Sequence, residues 1–389
     1  MDVIIERELG LYVHVPFCST TCDFCAFYQE RPSKKGFEAY FFALERDFNA
    51  HRDSRNFSTV FIGGGTPGLL SAEQIEKLCN LIRSAELETN CEWSVEVAPN
   101  EINSEKVDAF LNGGVNRLSL GVQTFNQQFM KELGRDHDVD SVMTAYELVR
   151  NAGFASVNLD LLFGAPGQTL DDWQDDLRKA VDLKPDHIST YCLTFEEDTA
   201  LYAKLSKGEV SIDPEREASF YELAWEYLPT FGFSQYEVSN YAKPGMESLH
   251  NLNTWSMNEW IGYGPSASSQ LNGVRRKNFA NIEQWGRHLL LDKPQKYEEW
   301  TNLGDAEIAR DAVIFGLRMN RGINLKEICG KFHLSPSIFA EINLFLDLLI
   351  TEGLGEKIDG NYCLNQEGRM RCDAIAKEMP ELNQEVAAV

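Results

Sequence analysis

Apolar and polar residues follow two distinct periodicities along the first half of the chain, one typical of strands and one typical of helices. Six short segments rich in β-branched and aromatic residues predict strands, at Leu11–Val15, Thr59–Ile62, Trp93–Val97, Arg117–Val122, Ser156–Leu162 and His187–Leu193. The stretches between them have helical spacing and predict helices at Lys35–Phe48, Ala72–Ser84, Ser104–Asn112, Val139–Asn151 and Leu170–Val181. Strands that alternate with helices form parallel sheets covered by helices. The pattern therefore predicts an α/β fold, either an incomplete barrel or a doubly wound sheet.

Polar residues at the ends of the predicted strands favour the barrel. A cysteine-rich loop follows the first strand, and the sequence GGGTP (63–67) follows the second. Glu96, Gln123, Asp160 and Tyr191 stand in the same position on the later strands. In a β/α barrel the carboxyl ends of all strands open at one mouth, where such folds place their chemistry. The sequence therefore predicts an incomplete (β/α)6 barrel with a polar mouth.

The pattern changes after Thr194 and again near residue 301. Phe220–Leu228 predicts a helix, and residues 232–245 predict a strand that runs into a turn. Later helices are predicted at Asp305–Arg318, Leu325–Phe332 and Ser337–Glu352. Leu354–Leu364 predicts a hairpin that turns at Asp359–Gly360. We expect a barrel core at 1–215, an extension of that core at 216–300 and a small α+β winged-helix-like domain at 301–389.

Composition and charge exclude several classes of protein. No run of eighteen apolar residues is present, so no transmembrane helix is predicted. The first ten residues, MDVIIERELG, lack the basic start and the cleavage site of a secretory signal, which indicates a cytoplasmic protein. The net charge of −24 argues against binding to nucleic acid, because that binding needs a basic surface. The short basic run Arg275–Lys277 offers little for anionic lipid.

Three of the nine cysteines lie within the segment CSTTCDFC (18–25). Thiolates are soft ligands that suit iron–sulfur clusters or zinc. A structural zinc site needs a fourth ligand, for which His14 is the candidate, and normally a second cysteine pair, which does not follow here. We therefore favour a [4Fe–4S] cluster on Cys18, Cys22 and Cys25. The scattered cysteines are interpreted as small buried apolar residues: Cys79, Cys91, Cys192, Cys329, Cys363 and Cys372.

Three thiolates on a four-iron cluster leave one iron open. That iron can bind the amino and carboxylate groups of S-adenosylmethionine and pass an electron to its sulfonium, which yields a 5′-deoxyadenosyl radical. The GGGTP segment offers glycine amides for a close approach to the methionine end of that ligand. Glu96 can accept hydrogen bonds from its ammonium group, and Arg135 can pair with its carboxylate. Asp160 and Gln123 can bind the ribose hydroxyls or orient their neighbours.

On these motifs the sequence resembles the radical SAM superfamily, and within it the oxygen-independent coproporphyrinogen III oxidase group and its HemW haem-chaperone branch. The resemblance rests on YVHVPFC, IGGGTP, SVEVAPN, RLSLGVQTF, LGRDH, NLDLLFGAPGQT, QYEVSNYAKPG, HNLNTW and the tail from FGLRMNRGINL to DAIAKEM. It implies Tyr12 beside the cluster and Phe24 against the adenine. It also implies contacts to the methionine moiety from Gly64, Gly65, Thr66 and Glu96, with Gln123, Arg135 and Asp160 completing the site.

The resemblance separates two branches with different functions. The decarboxylating oxidases carry a further cysteine two residues after the third, where this chain has Phe27. They also have a long arm before the cysteine loop, whereas seventeen residues precede Cys18 here. Both departures disfavour coproporphyrinogen III decarboxylation, which stays the alternative together with methyl transfer to a tetrapyrrole. A DNA-binding regulator, suggested by the winged-helix tail alone, is disfavoured because the predicted tail helices are not basic.

The chaperone branch implies haem as cargo and a haem-accepting respiratory protein as partner, with transient peripheral attachment to the membrane. Its HNxxYW motif corresponds to HNLNTW, which makes His250 the candidate haem ligand. Thr254 replaces the usual tyrosine of that motif, and Ser268 stands where relatives often have histidine. The alternative role for His250 is to cap or pack at a turn. Neither the recipient of the haem nor the electron donor is specified by the sequence.

Overall fold

The computed structural model describes residues 8–135, 137–290 and 295–382 of the 389-residue chain. Two expectations bear on residues outside these ranges. They are the lack of a secretory signal in the first residues and the aspartate at position 136 of the LGRDH segment.

The described ranges contain fourteen strands and fifteen α-helices. The strands are β1 (Leu9–Val15), β2 (Phe57–Gly64), β3 (Leu87–Val97), β4 (Arg117–Gln123), β5 (Ser156–Phe163), β6 (His187–Cys192), β7 (Ser234–Glu237), β8 (Asn240–Ala242), β9 (Glu259–Tyr263), β10 (Ser268–Leu271), β11 (Val274–Lys277), β12 (Glu299–Asn302), β13 (Gly355–Ile358) and β14 (Asn361–Leu364). The helices are α1 (Lys34–Ala50), α2 (Ala72–Ile82), α3 (Ser104–Gly113), α4 (Gln127–Glu132), α5 (Val139–Ala152), α6 (Leu170–Asp182), α7 (Ala200–Ser206), α8 (Pro214–Tyr227), α9 (Leu249–Trp255), α10 (Ile282–His288), α11 (Asp305–Gly316), α12 (Leu325–Lys331), α13 (Ala340–Thr351), α14 (Gln366–Met370) and α15 (Cys372–Glu378).

The first six strands form the frame of the molecule. Strands β1 to β6 lie side by side in chain order and run parallel, with at least one helix between each strand and the next. Strand β9 pairs in parallel with the free side of β1, so that β1 lies between β2 and β9. The sheet then extends through antiparallel strands to its two edges, β12 and β7. This arrangement confirms the predicted α/β fold with an incomplete (β/α)6 core.

Local capping explains where the helices that cover the sheet begin and end. The Ser71 hydroxyl and the Gln74 side chain form a capping box at the start of α2, and Thr169 with Asp172 does the same at α6. At the end of α5, Gly153 takes the left-handed backbone conformation that stops a helix, with a φ of 89°. At the two capping boxes, the Ser71 and Thr169 hydroxyls accept hydrogen bonds from amides of the first turn that would otherwise be unpaired. The helices therefore start within a few residues of the positions that the apolar pattern predicts.

The prediction for residues 232–245 was incomplete. The structure has two short antiparallel strands there, β7 and β8, instead of one strand and a turn. The buried Glu237 makes this possible, because its carboxylate accepts hydrogen bonds from the Ser239 amide and the Asn240 side chain at the reversal. Strands β9 to β12, which the apolar pattern did not predict either, have only four or five residues each.

The C-terminal part has its own apolar core, formed by residues of α11, α12, α13 and the β13–β14 hairpin. The hairpin turns at Asp359–Gly360 as predicted, with positive φ at both residues. This part contacts the barrel next to the β7–β8 pair, where the Val238 amide donates to the Arg318 carbonyl. In addition, Trp255 stacks on Phe315 with 5.8 Å between ring centroids. No helix in the described ranges is long and apolar enough to cross a bilayer.

Two leucines on α13 give a matched test of this second core. Leu346 is 2% exposed and packs in the core, whereas Leu344 is 63% exposed. We expect Leu346→Ala to lower the free energy of unfolding by about 2–5 kcal/mol, because it leaves a cavity. The control Leu344→Ala should change it by no more than about 0.5 kcal/mol. Urea unfolding curves measure both values, and equal losses for the two variants would contradict the placement of α13.

Candidate functional site

The cysteine loop begins directly after the carboxyl end of β1, which is an inner strand of the sheet. Its two ends are tied together, because the Cys18 amide donates to the Glu30 carbonyl and the Glu30 amide donates to the Pro16 carbonyl. Its tip is held by Asp23, which bonds through its amide to the Leu133 carbonyl and through its carboxylate to Lys204 at 2.7 Å. A loop held at both ends and at its tip presents the three thiols from a fixed frame.

The three loop thiols differ from most other cysteines in exposure. Cys18, Cys22 and Cys25 are partly exposed, whereas Cys192 is the single partly exposed member of the other six. The Thr66 hydroxyl lies 3.6 Å from the Cys18 sulfur, and the Gln29 side chain donates to the Cys25 sulfur at 2.9 Å. Such hydrogen bonds to sulfur are the usual second layer around thiolate ligands. The donor set therefore fits an iron–sulfur cluster.

A single metal ion fits this loop less well. Within the described residues, no group of three or more His, Cys, Asp or Glu side chains is placed to hold one metal ion. The ligands of a cuboidal cluster bind separate irons, so they need not converge on one point. His14, the alternative fourth ligand for zinc, is 4% exposed, and its Nδ1 lies 3.0 Å from the Tyr12 hydroxyl.

The GGGTP segment packs directly against the strand that leads into the cysteine loop. The Gly65 amide donates to the Val15 carbonyl at 2.8 Å, and the Thr66 amide donates to the Phe17 carbonyl at 2.7 Å. A Cβ atom on Gly65 would lie 2.7 Å from both of these carbonyl oxygens, so the contact requires glycine. These amides serve the fold, and so does that of Gly64, which donates to Glu96. The approach of this segment to the methionine end of a ligand stays a prediction.

Glu96 lies at the end of β3, where its carboxylate accepts the Gly64 amide at 3.3 Å. Burial, together with the nearby Asp160 carboxylate, raises the pKa of Glu96 to about 7, and this value includes the lowering effects of the Gly64 amide and Arg117. Near neutral pH this group therefore exists in both protonation states. A cationic or hydrogen-bond-donating ligand at the mouth would favour the carboxylate.

Arg135 and Phe24 lie together near β4. The Arg135 guanidinium stands 5.8 Å from the centroid of the Phe24 ring, and its buried Nε has no hydrogen-bond partner. Arg135 also lies close to Gly121 on β4. Two residues assigned to opposite ends of one ligand, adenine and carboxylate, are therefore neighbours here.

Gln123 has an unusual backbone at the end of β4. Its φ is 68°, in the left-handed region that non-glycine residues rarely adopt, and the β4–β5 register shifts between Leu120 and Gln123. Such a conformation costs on the order of 1 kcal/mol and is typical of functional sites. The buried Gln123 side chain therefore stands at an irregular position, where β4 ends at the mouth.

Asp160 is held from two neighbouring strands. Its carboxylate accepts from the Ser119 hydroxyl at 2.7 Å and from the Asn158 side chain at 2.8 Å. Burial raises the pKa of Asp160, while these hydrogen bonds lower it. The strand register pairs Ser119 with Asn158 and Asn158 with His187, so these side chains lie side by side in the barrel interior.

His250 lies at the other end of the barrel from the cysteine loop. It belongs to α9, and its Nδ1 is 2.9 Å from the Thr59 hydroxyl near the start of β2. Thr59 precedes Gly63 by four residues, about 13 Å along a strand. The ring stacks on Phe61 with 5.1 Å between centroids, and burial lowers the pKa of His250 to about 4.

The structure places the predicted residues at three levels of the barrel. Most of them surround the mouth: Phe24, Gly64, Gly65, Thr66, Glu96, Gln123, Arg135, Asp160 and the three cysteines. Tyr12 lies below them on β1, with its hydroxyl on His14. His250 alone lies at the base, and the structure does not bring it to the mouth.

The polar interior was missed from the sequence. Between the mouth and His250 lie buried Arg117, Asn158, His187 and the hydroxyl of Tyr236. The signal that could have shown them is the strict alternation in strands such as RLSLGVQ (117–123), where every second residue is polar or small. That pattern is typical of a strand with one face toward a polar lumen.

Comparison with known proteins agrees with this geometry. The family model of the radical SAM superfamily matches residues 12–180, and that of the HemN C-terminal domain matches residues 303–371. The solved structure of coproporphyrinogen III oxidase (HemN) from Escherichia coli, a radical SAM enzyme, superposes with a TM-score of 0.82 at 25% identity. That match covers 96% of this chain and 90% of the other.

Curated relatives match at greater identity. The heme chaperone HemW of Bacillus subtilis is 34% identical over 369 residues, which cover 92% of this chain and 96% of the relative. HemW of Escherichia coli is 36% identical over 269 residues, or 68% of this chain and 70% of the relative. One group of proteins thus matches this chain over 92% of its length. The chain belongs to the HemW family of the radical SAM superfamily.

Proposed function

We propose that this protein is a haem chaperone that holds a [4Fe–4S] cluster and S-adenosylmethionine at the barrel mouth and carries haem as cargo. The observation that supports this most directly is the similarity over nearly the whole chain to curated haem chaperones. The proposal includes delivery of haem to a respiratory protein with transient attachment to the membrane, on the basis of the family resemblance alone.

The competing function is decarboxylation of coproporphyrinogen III, as in the enzyme whose structure superposes. A shared fold does not decide between the two, because function depends on the site. At the position of the further cysteine in that branch this chain has Phe27, whose side chain is 69% exposed. Phenylalanine has no group that can bind iron or move a proton, so this position favours the chaperone.

At the mouth, the chain's own residues bind and orient. Cys18, Cys22 and Cys25 would hold three irons of the cluster, which when bound supplies one-electron chemistry. Glu96, as a carboxylate, would accept hydrogen bonds from the amino group of S-adenosylmethionine, and Arg135 would pair with its carboxylate. Asp160 would accept from the ribose hydroxyls while Ser119 and Asn158 fix its orientation.

The remaining proposed contacts are made by the smaller mouth residues. Gly64 and Gly65 would lie beside the methionine moiety, with their amides bonded within the fold and the space next to their α-carbons occupied by His14 and by the Val15 and Phe17 carbonyls. Thr66 would face it with a hydroxyl that also lies near the Cys18 sulfur. Phe24 would stack on the adenine, and Tyr12 would support the loop from below through His14.

His250 is the proposed haem ligand, and its environment sets a condition on that role. The Thr59 hydroxyl lies against Nδ1, which leaves Nε2 as the atom that would bind iron, and the low pKa keeps the ring neutral. The residue is only 8% exposed, however. Haem binding by this residue therefore requires α9 to move away from the base of the barrel.

Anaerobic reconstitution with iron and sulfide tests the cluster. We expect about four irons per chain in the wild type, an EPR signal altered by S-adenosylmethionine, and loss of both in Cys22→Ser. The matched control is Cys192→Ser, a cysteine outside the loop that is also partly exposed, and it should keep all four irons. Equal iron content in all three proteins would show that the loop does not hold the cluster.

A haem titration of the reconstituted protein tests the cargo site. His250→Ala should weaken binding by at least about tenfold and shift the Soret band, because the axial ligand is lost. The control His288→Ala removes a partly exposed imidazole that stacks on Phe279, and it should bind like the wild type. Tight haem binding by His250→Ala with an unchanged spectrum would remove His250 from the site, and no binding by the wild type would contradict the chaperone role.

The pKa of Glu96 predicts a pH dependence of S-adenosylmethionine binding. Because the raised pKa is about 7, Glu96 is mostly a carboxylate at pH 8 and mostly protonated at pH 6. The affinity of the wild type relative to Glu96→Gln should therefore fall about tenfold from pH 8 to pH 6. Equilibrium binding of labelled S-adenosylmethionine under anaerobic conditions measures this ratio. Parallel pH profiles for the two proteins would contradict the role of Glu96.

A further inference from the structure

A continuous row of hydrogen bonds crosses the barrel interior, starting at Asp160 near the mouth. The Asn158 side chain donates to the Asp160 carboxylate at 2.8 Å, and its amide oxygen lies 2.6 Å from Nδ1 of His187. Asn158 is 2% exposed and His187 is fully buried. The part of the row formed by Asn158 and His187 therefore lies out of contact with bulk water.

The lower half of the row continues to the helix that carries His250. Nε2 of His187 lies 2.9 Å from the Tyr236 hydroxyl, which accepts a hydrogen bond from the Ser248 amide at 3.3 Å. Ser248 is fully buried and is the N-cap residue of α9, where its hydroxyl accepts from the Asn251 amide. One end of the row therefore lies at the proposed S-adenosylmethionine edge and the other at the first turn of α9.

Every donor in this row points toward Asp160. An amide oxygen can only accept, so Nδ1 of His187 carries the proton, and burial keeps the ring neutral by lowering its pKa. Nε2 must then accept from the Tyr236 hydroxyl, whose oxygen in turn accepts from Ser248. Aligned hydrogen bonds polarise one another in a buried environment, and a carboxylate at the end strengthens the whole row.

The direction of the effect follows from the same physics. A ribose hydroxyl that donates to Asp160 shares the carboxylate charge and makes it a weaker acceptor for Asn158. The polarisation of His187 and Tyr236 then falls, and with it the strength of the bond that holds the Ser248 amide. Two polar contacts would then hold the start of α9: Glu92, which accepts the Leu249 and His250 amides at 3.0 Å, and the Thr59 hydroxyl, 2.9 Å from Nδ1 of His250.

We infer that Asn158, His187 and Tyr236 are positioning residues that couple S-adenosylmethionine at Asp160 to the docking of α9, so that the bound nucleoside loosens this helix and frees His250. The inference rests on the proposed assignment of Asp160 to S-adenosylmethionine. It also supplies the movement that haem binding at the buried His250 requires. Since coupling of two sites is reciprocal, haem bound to His250 tightens S-adenosylmethionine by the same factor.

Amide hydrogen exchange of the reconstituted protein tests the coupling without any haem. In the wild type, saturating S-adenosylmethionine should speed exchange in the peptide that covers α9 by about fivefold or more. In Tyr236→Phe, which breaks the row at one oxygen, the ratio with and without S-adenosylmethionine should fall close to one. The control Tyr146→Phe removes a hydroxyl that bonds to the Leu183 carbonyl outside the row, and it should respond like the wild type.

Three outcomes overturn the inference: a wild type that binds S-adenosylmethionine with no change in α9, slower exchange in α9, or a full response in Tyr236→Phe. If Tyr236→Phe does not fold, His187→Gln breaks the same row, and the same loss of response is expected. Haem titration of the same samples separates the two proposals. A wild type whose α9 responds to S-adenosylmethionine but that binds no haem would contradict the chaperone role and support the coupling.

Discussion

The close approach of the β1 and β2 ends is the constraint on which the rest of the site depends. Two amides of the GGGTP segment bond to the Val15 and Phe17 carbonyls, at the residues that lead into Cys18. Glycine at position 65 is required there, because a side chain would collide with both oxygens. The contact fixes the cysteine loop against the second strand and brings Thr66 to the Cys18 sulfur. The position of the cysteine loop therefore follows from a backbone contact between two neighbouring parallel strands.

The interior of the barrel contains buried polar side chains. A closed eight-stranded barrel packs layers of branched apolar side chains inside, whereas this partial barrel carries Arg117, Asn158 and His187. Buried polar groups are tolerated when they bond to one another. The row from Asp160 to Ser248 meets that condition and links the two ends of the interior. The base of the barrel is closed by α9, so any ligand of His250 depends on how firmly that helix is held.

Much of this arrangement could be predicted from the sequence, for reasons that are local. The six parallel strands, the helices between them and the turn at Asp359–Gly360 follow from apolar periodicity and turn chemistry. What could not be predicted depends on contacts between distant segments. The use of the Gly65 amide within the fold and the burial of His250 on Thr59 are set by tertiary packing. The same holds for Glu237, whose carboxylate creates a strand reversal that no local pattern shows.

A radical SAM fold that serves as a haem carrier should not convert its cargo, and a turnover measurement tests this most directly. The reduced, reconstituted protein is incubated with S-adenosylmethionine and either haem or coproporphyrinogen III, and the tetrapyrroles are analysed by mass spectrometry. For a carrier we expect that haem is recovered intact and passes to an apo-haem protein, and that coproporphyrinogen III is unchanged. Decarboxylated, methylated or ring-opened product in several-fold excess over the protein would contradict it and identify the chain as an enzyme.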